Sequence, residues 1–501
     1  MPQPATLARK TGVVVASRLL TSAIDLATGI ALVRLLAKSD FAVLSFLLVV
    51  YGTARYVATL GFPDSVFFFF ERVAKGARRA FVLQTCAILA ATSLVSAGGI
   101  LLFSTFAPDV LSGWSPAERA AVLRYLPWMA FVAALEIPTW PTTNVLLALD
   151  RQRDAGLYEM LTSALTFTGL VGPLALGLGV DVAVYGLAAY AVLRFVGSLA
   201  WLWRVLPPHG ERLPAGLLRS QVTFAVPLGL NALVGRLSKY VDRYVVSALL
   251  PAAALAEYSV GAQEIPLVAV IPAAVGSVLI SRYVALQLAD QKAELLGLWY
   301  RSIEKTALVV VPITVLFIAS APDFVGALFG AGYEGAVVPF QLYSLIVLHR
   351  VTSYGGILQV FGDTRGLLTI TVSLLFVNAA LAVPLTLALG INGTALAAVL
   401  ANGVSWALVL RRIGGHLGLP ARRVLPFPFY LRVLGVSAAC GAGTYALRHT
   451  AAASLGAWGG LGLSAAVFVT AFALVATAAR VVRIEDWRSL AGWLRPRGAA
   501  G

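Results

Sequence analysis

Eleven charged side chains lie well inside the long apolar stretches of this sequence. Seven are basic and four are acidic: Arg18, Arg55, Arg194, Arg236, Lys239, Arg243 and Arg350, against Asp25, Glu136, Asp242 and Glu264. In a bilayer such a charge costs about 2.5–3.5 kcal/mol on insertion scales, so it usually faces a protein interior or a water-filled cavity. If these side chains line one cavity, their basic excess will attract an anion.

The spacing of the basic residues favours a shared site. Arg236, Lys239 and Arg243 are placed at i, i+3 and i+7, which is one face of a helix. Arg18 and Arg55 lie at similar depths in two neighbouring predicted helices. A phosphate group could bridge these two, because guanidinium groups match phosphate oxygens bidentately. The alternative is that each arginine pairs with an acid or extends to the lipid headgroups.

The elements that must position these residues are membrane-spanning helices. The chain has 501 residues, of which 59% are hydrophobic and 12% charged, and its mean hydropathy is +0.85. This composition excludes an ordinary soluble fold. We predict an all-α polytopic membrane protein with about fourteen transmembrane helices, since many apolar stretches reach the ~20 residues that cross a bilayer. The predicted cores are 13–36, 41–60, 81–106, 123–146, 157–178, 183–203, 222–249, 255–280, 303–321, 339–360, 366–389, 394–410, 428–447 and 459–479.

The distribution of Lys and Arg predicts the orientation. An even number of spans places both termini on one side, and the loops and termini on that side hold 24 of the 38 basic residues. The opposite loops hold four, namely Lys38, Arg119, Arg124 and Arg448. By the positive-inside rule, both termini are cytoplasmic. The net charge of +15 therefore reflects topology, and we expect no nucleic-acid partner.

An internal repeat predicts the domain organisation. Arg18 precedes Asp40 by 22 residues near the first helix, and Arg236 precedes Glu257 by 21 near the seventh. Two six-helix units with the same orientation would be related by an axis along the membrane normal; chance similarity between apolar stretches is the alternative. We predict an N-terminal lobe (1–210), a C-terminal lobe (211–420), two additional spans (421–480) and a cytoplasmic basic tail (481–501).

Motifs for several other kinds of chemistry are missing from the sequence. None of the six lysines follows a glycine, which excludes the phosphate-binding loop G-x-x-x-x-G-K-[ST] of an ATP-driven pump. The two cysteines and four histidines lack metal-ligand spacing. The predicted loops are short and poor in acids, which disfavours a membrane glycosyltransferase. We therefore expect no catalytic residues, no metal, no cofactor and no enzymatic activity.

Segments near the start of each predicted lobe resemble one family of membrane proteins. The chain resembles Wzx-type polysaccharide exporters, which belong to the multidrug/oligosaccharidyl-lipid/polysaccharide (MOP) exporter superfamily, and the similarity in pattern covers essentially its whole length. The residues that carry this resemblance are Gly12, Ser17-Arg18, ALVRLLAKSDF (31–41) and TLGFPDS (59–65) in the first lobe, and FAVP (224–227), VDR (241–243) and EYSVGA (257–262) in the second.

The resemblance implies a fold and a substrate. Two six-helix lobes would enclose a central cavity that opens alternately to each side of the membrane. The substrate would be an undecaprenyl-pyrophosphate-linked oligosaccharide, moved across the bacterial cytoplasmic (inner) membrane for O-antigen, capsule or exopolysaccharide synthesis. The implied partners are this lipid-linked substrate, the bilayer and other membrane proteins of polysaccharide assembly.

The resemblance also suggests roles for the embedded charges. We expect Arg18, Arg55 and Arg236 to bind the pyrophosphate, with help from Lys239 and Arg243. We expect the acids to balance charge or couple transport to an ion; they are Asp25, Glu136, Asp242 and Glu264.

Three alternatives remain open at this point. A cation-coupled multidrug antiporter of the same superfamily should have a cavity with surplus acid. A lipid II flippase would share the two helices beyond the twelve-helix core. A scaffold of a polysaccharide-synthesis complex without transport of its own would leave the embedded charges without a purpose.

Overall fold

The computed structural model describes residues 4–208, 210–263, 266–448 and 455–482, and these residues form helices joined by short connections without any β-strand. The all-α polytopic fold predicted from the sequence is confirmed. The helices are α1 (Pro4–Leu35), α2 (Lys38–Thr59), α3 (Phe62–Phe69), α4 (Arg78–Val110), α5 (Pro116–Glu136), α6 (Pro141–Ala148), α7 (Gln152–Ala175), α8 (Gly179–Val205), α9 (Leu217–Leu249), α10 (Ala252–Gly261), α11 (Pro266–Leu288), α12 (Lys292–Ala319), α13 (Ala321–Phe329), α14 (Val337–Leu348), α15 (Tyr354–Val360), α16 (Thr364–Leu417), α17 (Phe427–Leu447) and α18 (Gly456–Ala478).

Several helical segments meet the requirements for crossing a membrane. Within the described ranges, eight are long and apolar enough. They are Lys38–Phe69, Lys75–Val110, Pro116–Ala148, Gly179–Val205, Leu217–Leu249, Lys292–Ala319, Thr364–Leu417 and Gly456–Ala478. The protein is therefore a multi-pass membrane protein.

Two of these segments, Lys38–Phe69 and Pro116–Ala148, contain local breaks. Between α2 and α3, Leu60 and Gly61 adopt positive φ values of 38° and 75°. A 3₁₀ turn, Ile137–Thr139, separates α5 from α6 and contains Pro138. A proline lacks the N–H that continues a helix, and membranes tolerate such breaks where they are buried in protein or face water. Both breaks lie beside the cavity described below.

The run α16 is a helical hairpin, although its 54 residues are continuous. Gly390 has φ 62° and ψ −144°, which is not helical. The hydroxyls of Thr386 and Thr394 are 2.6 Å apart, whereas eight residues of a straight helix rise about 12 Å. The chain therefore reverses at Gly390, and its two arms correspond to the predicted spans 366–389 and 394–410.

The chain divides into two compact units, Met1–Ala256 and Glu257–Gly501. In the first unit, α1 packs against α7, α4 against α5, α7 against α8, and α9 against α2 and α3. In the second unit, α12 packs against α17, α14 against α16, and α17 against α18. The boundary follows α9, whereas the sequence suggests a lobe boundary between residues 210 and 211. The predicted lobes, 1–210 and 211–420, and the two extra spans, 421–480, stay a prediction; most of the predicted tail, residues 483–501, lies outside the described residues.

A buried glutamine fixes the N-terminal part of α9 against α3 and α4. The Gln221 side chain donates to Ser65 Oγ (3.1 Å) and Thr85 Oγ1 (2.9 Å), and it accepts from Gln84 Nε2 (3.1 Å). Buried polar groups are costly without such partners, so this network specifies the position of α9. Two turns further along, Gly229 lies directly against the Leu60 backbone, where a Cβ would have no room.

Candidate functional site

The first unit contains a polar cavity of about 590 Å³ among its helices. Seven helices contribute to its wall, namely α1, α2, α3, α6, α7, α8 and α9. The two breaks beside α3 and α6 contribute as well. The lining residues are Thr21, Ser22, Asp25, Arg55, Tyr56, Thr59, Gly61, Pro63, Asp64, Trp140, Thr143, Asn144, Tyr158, Glu159, Thr162, Ser163, Arg194, Gly229, Ala232 and Arg236.

Arg55 extends from α2 between aromatic rings. Its guanidinium carbon lies 4.4 Å from the ring centroid of Trp140, 4.7 Å from that of Tyr56 and 5.9 Å from that of Tyr51. Its Nε is buried and has no hydrogen-bond partner among the protein atoms. In the described part of the chain, no carboxylate forms an ion pair with Arg55. The aromatic faces therefore hold a guanidinium whose charge a ligand can use.

Arg236 reaches the same cavity from α9. Its guanidinium carbon lies 5.0 Å from the ring centroid of Tyr56, so Tyr56 contacts two arginines. The side chain of Arg236 is exposed and, among residues that the structure describes, it has no carboxylate partner.

Arg194 is neutralised by a buried carboxylate behind the cavity wall. Its Nη1 donates to Glu136 Oε1 (2.5 Å), and its Nε donates to Thr139 Oγ1 (2.9 Å). Tyr51 donates its hydroxyl to the other carboxylate oxygen of Glu136 (2.5 Å). Glu136 is the last residue of α5, so the 3₁₀ break places this network beside Trp140. A buried ion pair is tolerated when its remaining atoms are hydrogen-bonded in this way.

Three acids also line the cavity: Asp25 on α1, Asp64 on α3 and Glu159 on α7. Asp25 faces the cavity together with Ser163 of α7. Asn144 Nδ2 donates to the carbonyl of Pro63 (2.7 Å) and lies 3.5 Å from Asp64. The described lining thus holds three arginines and three acids, whereas the basic surplus expected from the sequence counts all the embedded charges and stays a prediction.

The structure brings together part of the predicted site. Arg55, Arg236 and Asp25 line the cavity. Glu136 lies behind the wall as the partner of Arg194. The side chain of Arg18, on α1, lies outside the described residues, as does Glu264.

The other predicted residues of α9 do not line this cavity. They are Lys239, Asp242 and Arg243; Asp242 is buried. The cause is the close packing of α9 on α2 beyond Arg236. Tyr240 lies against Gly52, and the hydroxyl of Tyr244 is hydrogen-bonded to Thr53 (2.8 Å). The cavity therefore ends before the next turns of the basic stripe.

Sequence reasoning missed the aromatic residues and two of the acids. Tyr56, Trp140, Asp64 and Glu159 were not singled out. The signals for Trp140 were its place beside Pro138 and Pro141 and its distance of only four residues from Glu136. Among the described residues, no group of three or more His, Cys, Asp or Glu side chains could hold a metal ion.

A comparison with models of protein families matches the chain to one family. Residues 31–338, more than half of the chain, match the family described as "Polysaccharide biosynthesis protein". None of the curated proteins compared with the chain matches it in sequence.

Solved structures with a similar fold include three transporters. The lipid II flippase MurJ, in an inward closed conformation, has a TM-score of 0.73 and 12% identity over 94% of this chain and 98% of that one. An inward-facing multidrug resistance MATE family transporter of the MOP superfamily has a TM-score of 0.62 and 17% identity, covering 81% and 95%. A MOP superfamily transporter from Pyrococcus furiosus has a TM-score of 0.54 and 15% identity, covering 83% and 95%. At these identities the likeness shows the fold alone.

Proposed function

This chain belongs to the polysaccharide biosynthesis protein family, and from that premise we propose that it is a flippase for an undecaprenyl-pyrophosphate-linked oligosaccharide. The protein moves this substrate from the cytoplasmic to the periplasmic leaflet of the bacterial cytoplasmic membrane. The membership and the fold are those of transporters, which supports alternating access to the cavity. The concentration of Lys and Arg in alternate predicted loops supports two cytoplasmic termini.

One observation carries the proposal: Arg55 and Arg236 face the same cavity, and within the described ranges neither forms an ion pair with a carboxylate. A pyrophosphate is a strong acceptor for guanidinium donors, and charge-assisted hydrogen bonds of this kind are the strong ones. The bond to an anion is stronger in a partly buried site than in water. The hydrocarbon tail of such a substrate stays in the bilayer, so the cavity has to accommodate only the polar head.

The acids of the cavity complete this mechanism. Asp25, Asp64 and Glu159 lie on α1, α3 and α7, whereas the arginines come from α2, α8 and α9. In the empty state the acids offset the arginine charge through the cavity, and a bound anion replaces that compensation. An acid released in this way is suited to taking up a cation or a proton, which is the ion-coupling role proposed for Asp25. Asp242, Lys239, Arg243 and Glu264 stay candidates for contacts in other states of the transport cycle.

The test is to replace Arg55 or Arg236 by Ala in the full-length protein. A hydrogen bond to a charged group contributes about 1.5–3 kcal/mol. In each variant, binding or transfer of the pyrophosphate head should therefore fall about tenfold or more. The measurement is transfer of a labelled polyprenyl-pyrophosphate-linked sugar across reconstituted vesicles, with protein content checked by immunoblot.

Arg119→Ala is the matched control, because Arg119 lies in the first turn of α5, does not line the cavity and should leave transfer unchanged. Undiminished transfer by both cavity variants would contradict the flippase mechanism.

The acidic residues of the lining support a second candidate, a cation-coupled multidrug antiporter. The same vesicles distinguish it. An antiporter would move a lipophilic cation against a proton or sodium gradient, Asp25→Asn would abolish that movement, and the arginine variants would not. A lipid II flippase would instead transfer the peptide-bearing lipid in preference to a polyprenyl-pyrophosphate-linked oligosaccharide.

A further inference from the structure

The three arginines of the cavity and two aromatic rings form an alternating ladder. From one end to the other the order is Arg194, Trp140, Arg55, Tyr56 and Arg236. The guanidinium carbons lie 5.3 and 4.4 Å from the Trp140 centroid, and 4.7 and 5.0 Å from the Tyr56 centroid. The five residues come from α8, the turn before α6, α2 and α9, so the ladder connects four separate parts of the first unit.

The aromatic rings of this ladder offset the electrostatic repulsion between its arginines. Three like charges around one cavity repel each other, and in a partly buried site water screens that repulsion poorly. An aromatic face placed between two guanidinium groups attracts both through its quadrupole. The buried carboxylate of Glu136 forms its ion pair with Arg194, at one end of the ladder. The Tyr56 ring contacts both of the arginines that, in the described ranges, have no ion pair with a carboxylate.

We propose that Tyr56 and Trp140 are positioning residues, and that Tyr56 makes the site select a diphosphate over a monophosphate. This inference rests on the flippase function proposed above. The Tyr56 ring fixes Arg55 and Arg236 on one support, so a ligand with two linked phosphoryl groups contacts both guanidinium groups. A monophosphate has one phosphoryl group and engages the pair less completely. The Trp140 ring also contacts Arg55 and connects it to Arg194, which is held by its ion pair with Glu136.

The test measures binding of two probes to the purified full-length protein in lipid nanodiscs. The probes are radiolabelled polyprenyl pyrophosphate and polyprenyl monophosphate of the same chain length. The wild type should prefer the pyrophosphate. Tyr56→Leu removes the aromatic face and should reduce that preference about tenfold, whereas Tyr56→Phe retains the face and should stay within about twofold of the wild type.

Two further comparisons keep the result interpretable. Tyr185→Leu is the matched control, because Tyr185 is 41% exposed, contacts Trp128 and does not line the cavity. The pair Trp140→Leu and Trp140→Phe repeats the comparison at the second ring, so a folding defect at Tyr56 alone does not end the test. Monodisperse protein with an unchanged unfolding temperature is the criterion for using a variant.

The outcomes separate this inference from the proposed function. Retention of the wild-type preference by Tyr56→Leu and Trp140→Leu, with loss of pyrophosphate binding in Arg55→Ala and Arg236→Ala, would overturn the positioning role and leave the flippase proposal standing. Equal loss in Tyr56→Phe and Tyr56→Leu would also overturn it, because the ring would then not be the group that matters. Normal pyrophosphate binding in both arginine variants would overturn the function itself.

Discussion

At the scale of single residues, the cavity depends on how each charge is compensated. Arg194 donates hydrogen bonds to Glu136, Thr139 and Tyr190. Arg55 contacts aromatic faces and, within the described ranges, forms no ion pair with a carboxylate. Two arginines at the same cavity are therefore compensated differently: a buried carboxylate pairs with Arg194, whereas aromatic faces contact Arg55.

The buried pair of Glu136 and Arg194 leads to a prediction about stability. Their side chains are 8% and 10% exposed, and breaking such a pair by removing one partner costs about 3–5 kcal/mol, because the remaining charge stays buried. Glu136→Gln and Arg194→Gln should each lower the unfolding temperature, measured in detergent by a thermal shift assay. The double variant should lose less stability than the sum of the losses in the two single variants. Full additivity would show that the two side chains do not act as a pair.

How far the site was predictable also depends on residue type. Arg55, Arg236 and Asp25 were found because a charge inside an apolar stretch is conspicuous in a sequence. Helical spacing placed Lys239 and Arg243 on the face of Arg236, but spacing gives the direction of a side chain and not the length of the cavity. Trp140 had a signal in its place beside Pro138 and Pro141, but Tyr56 had none, since aromatic residues are common in membrane helices and only the fold shows which of them contact arginines.

At the scale of elements, the breaks in the helices position residues of the cavity as much as the helices themselves do. The break at Leu60 and Gly61 brings the backbone of α2 against Gly229 of α9, and the 3₁₀ turn before α6 presents Trp140 to the cavity. Hydropathy predicts where a span lies, but it does not predict such breaks, because a proline or glycine is compatible with an intact span. The predicted core at 41–60 ends at the first of these breaks, and the predicted core at 123–146 contains the second.

The start of α16 provides a prediction about pH. Asp363 caps this helix by accepting from the Gly366 N–H (2.9 Å), and it also accepts from Arg412 Nη2 (2.9 Å) and contacts His416 Nε2 (2.8 Å). The hydrogen bonds from Arg412 and His416 hold the pKa of the Asp363 carboxyl well below its usual range. A lowered pKa means that the stabilisation is present above the unfolded-state pKa of about 3.9 and is lost as the pH falls through the folded-state value.

Asp363→Asn should therefore lower the unfolding temperature at pH 7, and the difference from the wild type should shrink as the pH falls below about 4. The measurement is thermal unfolding at several pH values in one detergent. Arg282→Gln is the control for a surface pair, because its ion pair with Glu294 is solvent-exposed and should contribute about 1 kcal/mol or less. A constant difference between Asp363→Asn and the wild type at all pH values would contradict the capping account.

At the scale of the whole molecule, the sequence sufficed for the fold class. The long apolar stretches predicted an all-α polytopic membrane protein, and the described residues and the similar solved structures confirm it. The resemblance to the MOP superfamily is also confirmed. Composition could predict this much because the bilayer admits few architectures: every backbone polar group must be satisfied internally. It could not predict the charge of the cavity, which depends on which helix faces meet.

The orientation in the membrane stays a prediction, and cysteine labelling tests it. In a variant without the buried Cys86 and Cys440, a cysteine introduced at Ser112 should react with a membrane-impermeant maleimide added to intact cells. A cysteine introduced at Lys75 should react only after the membrane is opened. Both positions are exposed in the structure. Labelling of position 75 in intact cells would reverse the orientation derived from the basic residues.

The hairpin at Gly390 has a consequence for how the protein is made. Its two arms are joined through one non-helical residue, with Thr386 and Thr394 in contact across the turn. No polar segment separates the arms, so the translocation machinery has little hydrophilic chain to hold between them. We expect residues 364–417 to enter the bilayer as one unit during synthesis. An epitope tag inserted at Gly390 should therefore block membrane integration, whereas the connection around residues 210–216 has room to accept one.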